Sequence, residues 1–164
     1  MSAYLIRTSL AAAAVCAFAM PASAQTIAHK DLSVDAAIII ATTAMADCKA
    51  KGWPVSVAVV GRNGELLVHL RGDGTGPHTM DNSYRKSYTA RTTRQPSGEM
   101  AKRLKADPTL SLVTLPNMVA AQGALPIKIG EDTIGAAGAS GAPGGEKDEA
   151  CVQAGLDKVK DQLK

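Results

Sequence analysis

The stretch from Thr133 to Leu163 limits what this chain can fold into more than any other. It opens as Thr-Ile-Gly-Ala-Ala-Gly-Ala-Ser-Gly-Ala-Pro-Gly-Gly, a small-residue strand running into a turn. Gly135, Gly138 and Gly141 carry no Cβ, so another backbone or a ligand can lie close against them. Beyond the turn, Cys151, Val152, Gly155, Leu156, Val159 and Leu163 recur at helical spacing and predict a closing helix with one buried face. Glu146, Asp148 and Glu149 stand in its first turn, where negative charge suits the helix dipole.

The other end of the chain reads as a leader. Leu10–Met20 is an apolar run too short to cross a bilayer, and Ala22-Ser23-Ala24 is a small-x-small cleavage site. These features predict a secretory signal peptide over 1–24, cut before Gln25. One domain over 25–164 would then reside in the periplasm or be secreted, with no membrane span. A formal charge of +3 from 18 basic and 15 acidic residues is too balanced for a nucleic-acid binder. Beyond the leader the aromatic residues are Trp53, Tyr84 and Tyr88, which provide no platform for stacking single strands.

Between these ends the hydrophobic pattern alternates between two periods. Ser33 is placed to cap a helix carrying Val34, Ile38, Ala41, Met45 and Cys48 on one face, stopped by Gly52 and Pro54. Val55–Val60 predicts a buried strand, Gly61-Arg62-Asn63-Gly64 a turn, and Glu65–Arg71 the return strand of a hairpin. The glycine-rich loop 72–77 leads into a helix from Thr79 to about Thr93, and Ser97 caps a short helix over Gly98–Lys105. Thr109–Pro116 has no clear period. Met118–Gln122, Leu125–Ile129 and Thr133–Ala139 predict three further strands. The order is helix, two strands, helices, three strands, helix. With short turns inside each strand group, this is an α+β domain with five antiparallel strands.

Cys48 and Cys151 are predicted to form a disulfide. They lie on the apolar faces of the first and last helices, near the end of one and the start of the other. Antiparallel helices on the same side of the sheet would bring those ends together, and an oxidising compartment would preserve the bond.

Several catalytic patterns are excluded by missing partners. Ser140 follows a strand and precedes a helix, but Ala142 occupies the glycine position of a nucleophile elbow and no histidine follows. Ser83-Tyr84-Arg85-Lys86 spells Ser-x-x-Lys without the companion motifs of acylating enzymes, and reads as a solvated helix face or pocket rim. The glycines from Gly135 to Gly145 lack a following Gly-Lys-Ser/Thr. His29, His69 and His78 are too scattered for zinc. His29 reads as solvated and His69 as a surface strand residue. His78 stands where the glycine loop meets a helix, ahead of Met80, Tyr84 and Tyr88. Non-covalent haem needs one axial side chain and an apolar slot; if iron is bound, His78 is the first choice of ligand, with Tyr84 or Met80 behind it, and otherwise it is an exposed histidine at a helix start.

The C-terminal segment, with Gly138-Ala139-Ser140-Gly141 and Asp148-Glu149-Ala150-Cys151-Val152-Gln153-Ala154-Gly155, resembles the signature of the GlcG/HbpS-like haem-binding family. Arg71-x-Asp73-Gly74 resembles its Arg-x-Asp-Gly. Lys86-Ser87-Tyr88-Thr89-Ala90 resembles its Lys-Ala-x-Thr-Ala, with Ser87 in place of the first alanine. Gly123-Ala124-Leu125-Pro126-Ile127 resembles its Gly-Gly-x-Pro-Ile. The resemblance implies a profilin-like fold with a five-stranded antiparallel sheet flanked by helices, usually assembled as a homo-oligomer. Some members bind haem, and others accompany glycolate-type oxidation systems.

Within that resemblance, Arg71 or Lys86 would meet a carboxylate, from a haem propionate or a small organic acid. Equally, an Arg71–Asp73 or Lys86–Asp73 pair would fix the loop. The ligand site is placed at Arg71, Asp73, His78, Lys86 and Thr89, with Gly123 and Pro126 facing them. The expected function is an exported haem-binding protein acting in haem capture, storage or redox sensing. The alternatives are a non-catalytic module of an oxidation pathway that binds a small carboxylate, and an oligomeric accessory protein. No activated nucleophile or acid–base pair argues for turnover.

Overall fold

The computed structural model describes residues 25–164; the expected signal peptide over 1–24 lies outside them. Helix α1 (Val34–Ala50) starts where expected, with Ser33 Oγ accepting from Ala36 N at 3.2 Å. Strands β1 (Ser56–Val60) and β2 (Leu66–Leu70) form the hairpin, with Gly64 at φ +80 in its turn. Helices α2 (His78–Thr93) and α3 (Gly98–Ala106) follow. The chain then passes a short 3-10 turn at Ser111–Thr114 to β3 (Ala124–Ile129), β4 (Asp132–Ser140) and α4 (Gly145–Val159).

The sheet has four strands in the order β2-β1-β4-β3, all antiparallel. β1 and β4 occupy the centre and, apart from Asp132 at the start of β4, are buried on both faces, which is why the rest of their sequences is apolar or small. Val57, Val59, Ala137 and Ala139 face the core built with α1 and α4, while Val60 and Ala136 belong to a smaller cluster beneath α2. At Gly138 a Cβ would come within 2.6 Å of Ser87 Oγ and 2.9 Å of Ser83 O, so α2 lies directly on the β4 backbone.

The fold class is as expected, but the described residues contain four strands and not five. Met118–Gln122 forms no strand. Its Val119 N–H donates to Thr89 Oγ1 at 2.9 Å, and Met118 O accepts from Arg85 Nη2 at 2.7 Å. Side chains of α2 thus satisfy backbone groups that a ladder would otherwise pair. Both edges of β4 are already occupied by β1 and β3.

On the other face α1 and α4 approach until a Cβ at Gly155 would sit 2.5 Å from Ile40 O. The Cys48–Cys151 disulfide is present, with its Cα atoms 5.5 Å apart. Arg62 anchors the lead-in to the sheet. It donates to Asp31 Oδ1 at 3.1 Å, to Asp132 Oδ2 at 2.7 Å and to the Lys30 carbonyl.

Candidate functional site

Two hollows flank the loop 72–77, and Pro54 belongs to the wall of each. The first is a polar cleft of about 430 Å³ between the start of α2, the end of β4 and the start of α4. His78, Asn82 and Lys86 reach it from successive turns of one helix face; Ser140, Gly144, Gly145 and Asp148 close the other side.

Lys86 is 4 % exposed and Asp148 3 %. Their 2.8 Å contact, Nζ to Oδ2, is a buried ion pair. Lys86 Nζ also donates to Ala139 O at 3.1 Å, and Asp148 Oδ1 accepts from Ala142 N at 3.0 Å. Burial pushes the Asp148 carboxyl above its ordinary value, against the opposing pull of Lys86 and the Ala142 N–H. The pair fastens α2 to the first turn of α4 across the end of the sheet.

This corrects the reading of Lys86 as solvated or as part of a rim. Neither expected pair with Asp73 forms: Lys86 meets Asp148, and Arg71 Nη2 donates to Thr75 O at 3.0 Å. Ser83 Oγ donates to Met80 O at 2.9 Å, away from any acylating role with Lys86. Asp148 was missed as a partner, although its spacing to Cys151, Val152 and Gly155 places it on the buried face of α4. The positions 78, 82 and 86 also carry a four-residue spacing that could have identified Asn82.

The expected site residues divide among several places. His78 is exposed and lines the polar cleft together with Lys86, and Gly123 packs beside Lys86 Nζ and Asp148 Cβ. Arg71 and Asp73 line the second hollow, an apolar groove of about 380 Å³ that includes Met45, Lys49, Trp53 and Val55. Lys51 Nζ and Lys147 Nζ lie 5.8 and 5.2 Å from the centre of the Trp53 ring. Thr89 is fully buried, holding Val119 N and contacting Met118 Sδ. Pro126 lines a depression beside α4 with Leu156 and Leu163.

Tyr84 and Tyr88 do not share the cleft lining with His78. They form a row with His69, with ring centres 6.5 Å apart for His69–Tyr84 and 6.0 Å for Tyr84–Tyr88. His69 is half-buried, not a surface residue, with Nε2 2.9 Å from Met80 O and 3.2 Å from Ser83 Oγ. Burial lowers its pKa below 6.5. His29 Nε2 lies 3.2 Å from Asp31 Oδ2 near the surface. No group of three metal-binding side chains occurs among the described residues.

This α+β fold is shared with a known group of proteins. Residues 32–157 match the family model described as "Haem degrading protein HbpS-like", and the chain belongs to this HbpS-like family. It is 35 % identical to HbpS over 84 % of this chain and 96 % of that one, with a TM-score of 0.79. It is 36 % identical to a double mutant of HbpS from Streptomyces reticuli, over 91 % and 98 % of the two chains, also at 0.79. The solved PduOC:haem complex shares the fold at 19 % identity and a TM-score of 0.72, over 78 % of this chain and 94 % of that one. No curated protein matches the chain.

Proposed function

We propose that this protein binds haem non-covalently outside the reducing cytosol, as a carrier, store or sensor. The observation that carries the proposal is membership of a family described as haem-degrading, matched over 32–157. The disulfide supports export, because such bonds persist in oxidising compartments.

The residues present fit haem in kind. The groove beside Trp53 offers an apolar wall, with Lys49 and Arg71 among its lining residues to meet propionates. His78 in the adjoining cleft remains the first choice of iron ligand, and the Met45 thioether in the groove wall is the second. Lys86 lines the cleft and not the groove, so the propionate role falls to Arg71. Bound haem would supply redox or oxygen chemistry; the chain's own part is to seat the macrocycle and hold its carboxylates.

The test is a hemin titration followed by visible absorption, with His78→Ala, Met45→Leu and Arg71→Ala as variants. A saturable Soret shift is expected, displaced by His78→Ala and weakened by Arg71→Ala. Absence of any shift would refute haem binding. An unchanged spectrum and affinity in His78→Ala would remove that ligand, and the same result in Arg71→Ala would remove the groove.

A further inference from the structure

The polar cleft has a feature that haem does not explain. Lys86 and Ser140 are each more than nine-tenths buried, yet both line it. Lys86 Nζ carries three hydrogens, and the protein accepts two of them, at Asp148 Oδ2 and Ala139 O. Ser140 Oγ accepts from Asn82 Nδ2 at 3.0 Å, but its own hydrogen has no acceptor among the described residues. Thr75 and Thr79 in the same wall differ, since their hydroxyls donate to Gly72 O and Gly76 O. Both oxygens of Asp148 are occupied, by Lys86 and by Ala142 N. The floor therefore has a surplus of donors and needs an acceptor.

We infer that this cleft binds the carboxylate of a small organic acid, with Ser140 Oγ–H and the third Lys86 N–H as its donors. The Lys86–Asp148 pair is neutral as a unit, so a bound anion meets no net repulsion from it. Helices α2 and α4 both begin at the cleft and direct the positive ends of their dipoles there. Glu146 in the first turn of α4 opposes this field, which favours a singly charged carboxylate over phosphate. The cleft has ample room for a few-carbon acid. The two donors, Ser140 and Lys86, are distinct from the residues assigned to haem, although His78 lines the same cleft; Arg71 belongs to the groove.

The test is calorimetric titration of the purified protein with acetate, lactate and inorganic phosphate. Acetate or lactate is expected to bind, with phosphate weaker. Ser140→Ala should weaken carboxylate binding about tenfold or more, the effect of losing a hydrogen bond to a charged group. Its thermal melt and hemin titration should match the parent's. Because Lys86 replaced alone would strand Asp148, the second variant is Lys86→Met with Asp148→Leu, which keeps the contact apolar and should abolish binding. Absence of heat with both acids would overturn the inference. So would unchanged affinity in a folded Ser140→Ala protein, retained binding in a folded double variant, or phosphate binding as tightly as lactate.

Discussion

Lys86 and Asp148 stand 62 positions apart and meet at 2.8 Å inside the protein. The contact joins the middle of α2 to the first turn of α4, beside the polar cleft. Each residue has further hydrogen bonds, the arrangement a buried pair requires to offset its desolvation.

Removing one partner should therefore be far worse than removing both. Lys86→Met is expected to destabilise the fold by about 3–5 kcal/mol, because it leaves a carboxylate buried without a cation. Adding Asp148→Leu should recover most of that loss. Urea denaturation of the two single variants and the double variant measures the coupling directly.

Cys48 and Cys151 close a loop with a sequence separation of 103. In the chain-entropy model a loop of that length stabilises the native state by about 4–5 kcal/mol. Cys48→Ala with Cys151→Ala should lower stability by that order. Alkylation of the parent under denaturant should leave both residues unmodified, as read by peptide mapping.

The pH response of His69 follows from its burial. Its folded pKa lies below 6.5, so the unfolded chain takes up the proton first as pH falls. Stability from this group is present above about 6.5, declines as pH drops below that value and levels off under the folded pKa. Asp148 acts oppositely at lower pH: its folded pKa is raised above 3.8, so acidification through that window favours the native state. His69→Gln should flatten the change in urea midpoint between about pH 8 and 5.

Assembly beyond the monomer is expected. Val34 and Ile38 leave an apolar strip on the outer face of α1, at 51 % and 45 % exposure, and Leu66 on edge strand β2 is 47 % exposed. Light scattering at micromolar concentration should give a mass above that of one chain. A monomeric mass would contradict this.

Much of the architecture was legible because its signals are local or periodic. Ser33, the helical period from Val34 to Cys48, the turn at Gly61–Gly64 and the closing helix all identify themselves within a few residues, although the buried face of α1 is rotated onto Ala37, Ile40, Ala41, Ala44 and Cys48 and leaves Val34 and Ile38 exposed. The disulfide followed once both cysteines could be placed on apolar faces. The supposed strand at Met118–Gln122 misled because its apolar residues, Met118 to Ala121, also suit a segment held by Thr89 and Arg85 from another element. The site was harder for the same reason. Lys86 resembles any helix-surface lysine until Asp148 arrives from the far end of the chain, and His69 reads as exposed until α2 covers it.

The direct seating of α2 on Gly138 also governs how the molecule could be altered. With no side chain at that point to act as a cushion, the helix has no slack to slide or roll, and a new side chain would have to lift it bodily. Any lift would tilt the whole lever from Thr93 to His78, and with it the loop that separates the two hollows. A library meant to retune ligand choice should vary 75–78 and 142–143 and hold 138 and 145 fixed, since a Cβ at Gly145 would likewise meet backbone, at Gln122 O, and diversity at either glycine would move the scaffold before it changed its chemistry.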